Sequence, residues 1–364
     1  MRKPVLVLAA ALMACSGGSS GSAVKFGAAG PWSDPGYGAM NQRGIQLAYE
    51  QIKASPAFKD HPFDIDFRDD KASGEQATDI AKSFVADPSV VAVIGHVNSG
   101  TEVAAAQVYD AGHLVSMATT ASSPALTGVS PWVFRVISSD SVNGMDIARF
   151  ASTTLNRRRA AILYENNAYG RGLAEAFRRN FSGAVIEMDP IAEGAQDFEP
   201  YVSYLKARNP DLIFVPGEDG SGRPFVAEVR RQKLSAALLG GDGWTGLTVD
   251  TANAEGVYVG APFTAENPDP DVQKFVAAFK AKFGRTPDGN AALAYDATNL
   301  LFYALTRVGP DRAKIRDFLA HMDEQSAWAG VTGHIRFGTN GDPAGKSIVM
   351  TVIHNGALKV AGDK

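Results

Sequence analysis

The stretch Val90-Val-Ala-Val-Ile-Gly-His-Val-Asn-Ser-Gly-Thr101 runs directly into an alanine-rich segment, 102–110. Its first half is a continuous apolar and β-branched run that ends at Gly95, which is typical of a parallel strand buried on both faces. The alanine-rich segment predicts a helix, with Thr101 available as its N-terminal cap. A strand that leads into a helix is the repeating unit of an open α/β sheet, and such sheets bind ligands at the carboxyl ends of their strands.

The turn between this strand and this helix is a candidate anion site. The first N–H groups of a helix have no partner within it, and the helix dipole adds partial positive charge there. The hydroxyl of Ser99 lies in the same turn, and a second cluster of hydroxyl residues, 119–123, follows the next predicted strand. Either cluster alone is also typical of an ordinary capped turn. Two of them in adjacent units favour a ligand site.

Strand and helix patterns alternate twice along the chain. Predicted strands of the first unit lie at 24–30, 63–68, 90–95 and 114–118, and those of the second lie at 158–165, 184–188, 211–216, 237–241 and 256–262. Helical patterns lie between them, among them 145–155 and 224–233, and three more follow at 270–283, 290–308 and 311–322. This alternation predicts an α/β fold of two doubly wound parallel sheets.

The chain is expected to cross between the two sheets more than once. We predict a first lobe from 24–138 and 267–340, and a second lobe from 139–266 and 341–364. Several crossing strands make a hinge, and two hinged lobes can close around a ligand.

The start of the chain predicts an extracytoplasmic location. A basic start and a short apolar run, Val5–Ala14, predict a signal peptide over 1–14, because about ten apolar residues are too few to span a bilayer. Cys15, the single cysteine of the chain, follows a small residue and precedes a Gly/Ser run. The arrangement resembles the lipobox of bacterial lipoproteins, which implies lipidation of Cys15 and a flexible tether over 15–23. The alternative is a secreted protein whose cysteine is discarded with its leader.

Several other function classes are disfavoured. A net charge of −4 without a basic stripe argues against nucleic acid, and the six histidines show no metal-ligand spacing. No nucleophile elbow or phosphate-binding Gly/Lys/Ser loop occurs, so we expect no catalytic residue, metal or cofactor. Gly241-Asp-Gly-Trp-Thr-Gly246 matches a dinucleotide-binding pattern, but no clear helix is predicted after it.

Two residues of the second lobe suit a zwitterionic ligand, which needs donors for its carboxylate and an anion for its ammonium. Asp242 follows a predicted strand and can supply the anion. Tyr169 follows another strand end, where its ring can form a wall of the cleft and its hydroxyl can donate. A turn aspartate between glycines and an ordinary loop tyrosine are the alternatives.

Short motifs extend over nearly the whole chain in a fixed order. They are Gly30-Pro31, Tyr37-Gly38, Arg68-Asp-Asp70, Val93-Ile-Gly-His96, Ser99, Ala118 to Thr120, Pro124-Ala-Leu126, Phe134-Arg135, Tyr169-Gly170, Gly172-Leu173, Asp197-Phe198, Gly240-Gly-Asp-Gly-Trp244, Glu255-Gly256 and Gly341-Asp342. Together they resemble the periplasmic type I solute-binding proteins of the leucine/isoleucine/valine-binding family, which serve ABC importers. The resemblance implies that the α-carboxylate is held at three first-lobe positions and the ammonium at an acidic one, with two aromatic residues closing over the ligand. In that order these are Ser99, Ala118, Thr120, Asp242, Tyr37 and Tyr169.

Two departures from the family pattern stand out. The first-lobe disulfide common in the family cannot form, because Ala72 and Asn98 occupy the matching positions. Glu218 stands where an aromatic wall residue is frequent, within the glycine-rich segment 216–222. We predict that Glu218 reaches the side-chain end of the cleft and selects polar or cationic ligands; the alternative is a solvated acid in a mobile loop.

These observations predict a monomeric, lipid-tethered periplasmic binding protein that is not an enzyme. It captures an amino acid or a related solute between its lobes and delivers it to an ABC permease in the inner membrane. Two alternatives stay open: presentation of the ligand to a membrane receptor, and binding of a carboxylate or amide that is not an amino acid.

Overall fold

The computed structural model describes residues 24–362. Its strands are β1 Lys25–Gly30, β2 Asp64–Asp69, β3 Val90–Ile94, β4 Val115–Ala118, β5 Val133–Arg135, β6 Arg159–Glu165, β7 Ala184–Ile191, β8 Leu212–Val215, β9 Ala237–Gly240, β10 Tyr258–Ala261, β11 Trp328–Gly330, β12 Gly333–Ile335, β13 Val349–His354 and β14 Ala357–Val360. Its α-helices are α1 Tyr37–Ala54, α2 Gly74–Ala86, α3 Ser99–Ala111, α4 Asp140–Arg149, α5 Ala168–Asn180, α6 Glu199–Arg208, α7 Asp219–Gln232, α8 Pro270–Phe283, α9 Gly289–Val308 and α10 Arg312–Ala320. The tether and Cys15 lie outside the described residues.

The first sheet is fully parallel, with strand order β2-β1-β3-β4-β5. All five side chains of β3 are buried, because α2 and α3 pack on one face of the sheet and α1, α9 and α10 pack on the other. Burying an aliphatic side chain of this size contributes about 1.5–3 kcal/mol, so this strand anchors the lobe. The apolar run in the sequence predicted this placement.

The second sheet is mostly parallel, with strand order β14-β13-β10-β9-β8-β6-β7. Helices α4 and α5 cover one face, and α6 and α7 cover the other. The two C-terminal strands extend this sheet as an antiparallel edge, since β13 pairs with β10 and β14 with β13. The predicted fold class of two doubly wound parallel sheets is confirmed. The predicted residues at which the chain changes lobe stay a prediction.

One crossing between the sheets is fixed by a buried ion pair. Arg135, at the end of β5, is 2% exposed and donates to Asp342 Oδ1 from Nε at 2.7 Å. The same guanidinium donates to the carbonyl of Ser123 at 2.8 Å, and Thr127 donates its hydroxyl to the other oxygen of Asp342. Gly341 has φ 79°, and a Cβ there would lie 2.2 Å from the carbonyl oxygen of Val133, so this turn requires glycine.

Two helices begin earlier than the sequence predicts. Helix α4 begins at Asp140 rather than at 145, because the Ser139 hydroxyl accepts a hydrogen bond from the N–H of Ser141 and caps it. Helix α7 begins at Asp219 rather than at 224, with Pro224 inside it. The proline removes one helical donor, and the carbonyl left free, that of Gly220, accepts a hydrogen bond from the side chain of Gln196, in the loop between β7 and α6. The segment that the alternative interpretation treats as a mobile loop therefore contains the first turn of a helix.

The dinucleotide-like pattern leads into a short 3₁₀ helix, Asp242–Val249, where the sequence indicated no clear helix. A Cβ placed on Gly246 would lie 2.3 Å from a carboxylate oxygen of Asp219. That acid occupies the space beside the glycines and would repel a pyrophosphate. Within residues 24–362 no helix is both long and apolar enough to cross a membrane.

Candidate ligand-binding site

A cavity of about 70 Å³ lies where the carboxyl ends of both sheets face each other. Its lining residues follow the ends of β2, β3, β4, β6, β7, β8 and β9 in turn, and two lie at the starts of α1 and α9. They are Tyr37, Ala72, Val97, Asn98, Ser99, Gly100, Thr101, Thr120, Asn167, Tyr169, Glu193, Glu218, Asp242, Gly243 and Asn290. The structure thus brings together six of the seven predicted ligand residues. Ala118, the seventh, is fully buried in β4 and does not line the cavity.

The first-lobe wall is the open N-terminus of α3. Asn98 stands at the cap position without a side-chain cap bond, and the N–H groups of residues 99–101 have no hydrogen-bond partner among the residues that the structure describes. The Ser99 hydroxyl accepts a hydrogen bond from the N–H of Ser123 at 3.1 Å, so its own proton is free to donate. Thr101 does not cap the helix as predicted; its hydroxyl donates to the carbonyl of Asn98 at 2.8 Å. These donors form a site for a carboxylate.

Thr120 lines the cavity but has already used its donor. Its hydroxyl donates to the carbonyl of Val97 at 2.9 Å, which ties the turn after β4 to the turn after β3. Its lone pairs remain free to accept. The carbonyl of Ala118 is also occupied, since it accepts the N–H of Val136 at 3.1 Å. The roles that the resemblance assigns to these two residues stay predictions.

A buried polar network supports the α3 turn from below. The ring of His96 lies between Asp70 Oδ2, 2.7 Å from Nδ1, and the hydroxyl of Tyr109, 3.0 Å from Nε2. The N–H of His96 and the hydroxyl of Ser116 both donate to the carboxylate of Glu102, which is fully buried. Burial raises the pKa of Glu102 to about 6. The sequence analysis assigned no role to this network, because its members meet only in the folded sheet.

The second-lobe wall places Tyr169 against Asp242. The Tyr169 hydroxyl donates to Asp242 Oδ1 at 2.9 Å and accepts the N–H of Gly243 at 3.2 Å. A Cβ on Gly241 would lie 2.6 Å from that hydroxyl, so glycine is needed for the approach. Burial raises the pKa of Asp242 to about 6.

Asp140 is a residue near the site that the sequence analysis missed; it does not line the cavity but lies close enough to Asp242 for their charges to interact. Its side chain is fully buried, and its pKa is raised well above the usual range by burial and by the charge of Asp242. Asn143 donates to Oδ1 at 3.2 Å, whereas Oδ2 has no hydrogen-bond partner within residues 24–362. The sequence analysis treated this segment as the boundary between the lobes. Nothing in it indicates that the carboxylate of Asp140 lies near that of Asp242, about a hundred positions later.

Glu218 lines the same wall, at the position that precedes α7. Burial, followed by the charges of Glu165 and Asp242, raises the pKa of its carboxyl well above the usual range. Glu218 is half-buried next to the start of a helix, which is inconsistent with a mobile loop. Its role in selecting the ligand stays a prediction.

Tyr37 and Asn98 connect the two walls. Asn98 Nδ2 donates to the Tyr37 hydroxyl at 3.1 Å, while Asn98 Oδ1 is buried and has no partner in the described part of the chain. Burial and the charge of Glu218 raise the pKa of Tyr37. Ala72 and Asn98, the two positions that the sequence analysis matched to a family disulfide, both line the cavity.

A sequence family described as periplasmic binding protein matches residues 23–357. The chain belongs to the periplasmic binding protein family. Proteins of this family are extracytoplasmic and bind solutes without catalysing a reaction, so the predicted family is confirmed and the chain is not an enzyme.

Known members of the periplasmic binding protein family are similar over nearly the whole chain. The Leu/Ile/Val-binding protein homolog 1 of Brucella abortus is 25% identical over 368 residues, which cover 98% of each chain. The LivJ substrate-binding protein of Streptococcus pneumoniae, solved with isoleucine, is 25% identical, with a TM-score of 0.86 over 93% of this chain and 98% of its own. A solute-binding protein of R. palustris, solved with benzoate, shares the fold at a TM-score of 0.85 and 19% identity, over 93% of this chain and 96% of its own.

Proposed function

We propose that the protein binds an α-amino acid in the interlobe cavity and delivers it to an ABC permease. The observation that carries the proposal is that the two opposite walls of the cavity offer complementary groups, hydrogen-bond donors on one and a carboxylate on the other. The uncapped N-terminus of α3 offers donors to a carboxylate, and Asp242 across the cavity offers a half-buried carboxylate to an ammonium. An α-amino acid carries both groups on one carbon.

The electrostatics of the two walls support a zwitterion over a simple anion. A helix N-terminus favours negative charge, whereas Asp242 lies close to the charge of Asp140 and disfavours it. A ligand with a carboxylate and no amine would leave Asp242 without a counter-charge. An ammonium placed there relieves the repulsion between the two acids.

The relatives support the transport part of the proposal. The Brucella protein is named for leucine, isoleucine and valine, and the S. pneumoniae protein belongs to a branched-chain amino acid transporter. For this chain we propose a periplasmic location with a lipid anchor at Cys15, on the strength of the N-terminal sequence pattern. A tethered binding protein stays near the permease that it serves.

The test is a thermal-shift screen of protein freed of ligand by unfolding and refolding. Each α-amino acid is compared with its deaminated carboxylate and its decarboxylated amine. A ligand that binds the folded state at about 100 times its Kd stabilises it by about 2.7 kcal/mol, which is a clear shift. We expect stabilisation by at least one α-amino acid and little by its two truncated partners. Stabilisation by carboxylates or amides alone would refute the amino-acid proposal.

A further inference from the structure

We infer that the ligand carries a second positive charge at the end of its side chain, and that Glu218 is the carboxylate that pairs with it. The inference rests on the proposed function, because it places the α-carboxylate at α3 and the α-ammonium at Asp242. It assigns the class of ligand: α-amino acids whose side chains end in an amine or a guanidine.

The charges around the cavity have one sign. Three carboxylates line it, those of Glu193, Glu218 and Asp242, and no lysine, arginine or histidine lines it among the residues that the structure describes. Two buried acids, Asp140 and Glu165, interact with Asp242 and Glu218 from behind. A single α-ammonium pairs with one of these groups. An amino acid with an uncharged side chain therefore leaves the rest without a cation, and burial then favours their neutral, protonated forms, whereas a second cation in the ligand favours the charged form.

Glu218 differs from Glu165 and Asp219, the acids next to it, in having no partner. Glu165 accepts a hydrogen bond from the Ser221 hydroxyl at 2.7 Å, and Asp219 forms an ion pair with Arg223. Within residues 24–362 no group donates a hydrogen bond to the carboxylate of Glu218, and its surroundings act on it only through burial and like charges. The cavity that it lines gives a ligand cation access to it.

The other walls suit a polar side chain. Three amides line the cavity, those of Asn98, Asn167 and Asn290, together with the phenol groups of Tyr37 and Tyr169. Its aliphatic side chains are only those of Val97 and Ala72. Oδ1 of Asn98 is buried with no partner in the described part of the chain. A branched hydrocarbon side chain would leave these polar groups unpaired. Binding sites built from polar groups discriminate strongly against ligands that cannot pair with them.

The two acids are placed for one extended ligand. A Cβ on Gly243 would lie 3.0 Å from Glu218 Oε2, and Gly243 directly follows Asp242 in the chain. The Glu218 carboxylate thus lies beside the residue that follows Asp242, and the charges of the two acids interact. A side chain that starts from an α-ammonium at Asp242 can direct its terminal cation at Glu218.

The experiment is calorimetry with lysine, ornithine and arginine against norleucine, which has the carbon chain of lysine without its terminal amine. We expect at least one dibasic amino acid to bind about thirtyfold or more tightly than norleucine. Glu218→Gln keeps the size and removes the charge, and we expect it to erase most of that preference while changing norleucine binding less than about threefold. Glu175→Gln, which makes the same charge change at an exposed ion pair, should change neither.

The outcomes separate this inference from the proposed function. Binding of leucine or norleucine as tight as that of every dibasic amino acid would overturn the inference and leave the amino-acid proposal standing. The inference would also be overturned if both Glu218→Gln and Glu218→Ala rank the ligands as the wild type does. If no α-amino acid of any side-chain class binds, the proposed function itself fails.

Discussion

The Tyr169 hydroxyl donates a hydrogen bond to Asp242 over 2.9 Å, across 73 positions of sequence. This contact joins the ends of β6 and β9 on the wall that faces the uncapped start of α3. It stabilises the charged form of a carboxyl whose pKa burial raises to about 6. The acid is thus held close to its titration point near neutral pH, and ligand binding should respond to pH.

Amino-acid affinity should rise with pH through the titration of Asp242. Its pKa in the folded protein is about 6, so below that pH the carboxyl is mostly neutral and cannot pair with an ammonium. We expect full affinity above about pH 7 and a fall approaching tenfold per unit below about pH 5. Calorimetry between about pH 4.5 and about pH 8, in buffers of different ionisation enthalpy, should also show proton release on binding. A flat affinity profile with no proton release contradicts this assignment.

The ion pair at the interlobe crossing should contribute strongly to stability. Asp342→Ala leaves the buried guanidinium of Arg135 without its carboxylate, and such a loss typically costs about 3–5 kcal/mol. The control is Asp271→Ala, because its ion pair with Lys274 is exposed and should contribute less than about 1 kcal/mol. Urea unfolding measures both. Equal, small losses in the two variants would show that the crossing does not depend on this pair.

The sequence predicted elements whose signals are local. The apolar run of β3 and the bounds of α8, Pro270–Phe283, are visible in neighbouring residues, since proline begins that helix and glycine follows it. The start of α7 is not visible in this way. Gly222 looks flexible in the sequence, but a Cβ there would lie 2.5 Å from Trp244 Nε1, so it is glycine because the indole packs against it.

The site was partly predictable for the same reason. Ser99, Thr120, Tyr169 and Asp242 each follow a strand end, and parallel strands bring their carboxyl ends to one edge. Asp140 lies at the start of a helix in an apparent connection, and its proximity to Asp242 depends on the arrangement of both lobes. No local pattern encodes such a pair of buried acids.

Membrane attachment should depend on Cys15 alone. Its replacement by Ser removes the thiol that would carry the lipid, so Cys15→Ser should be recovered as soluble protein with unchanged ligand affinity. Fractionation of cells that express each form, followed by a salt wash, measures this. Retention of Cys15→Ser in the membrane fraction would refute the lipid anchor.

Asp242→Asn and Thr120→Ala test the amino-acid site most directly, by calorimetry with an α-amino acid from the screen at about pH 8, above the Asp242 pKa of about 6. Asp242→Asn removes the counter-charge of a buried ammonium, which typically costs about 3–5 kcal/mol, or a few hundredfold or more in affinity. Thr120→Ala should lose less than about tenfold, because the Thr120 hydroxyl already donates to Val97.

Stability provides the folding control for that measurement. The pKa of Asp242 is raised above its unfolded value, so its contribution to stability is present at low pH and lost as pH rises through about 6. Asp242→Asn should therefore melt no lower than wild type at about pH 8. With the variant folded, a loss of a few hundredfold or more is the predicted result. An affinity within about threefold of wild type would contradict the amino-acid site.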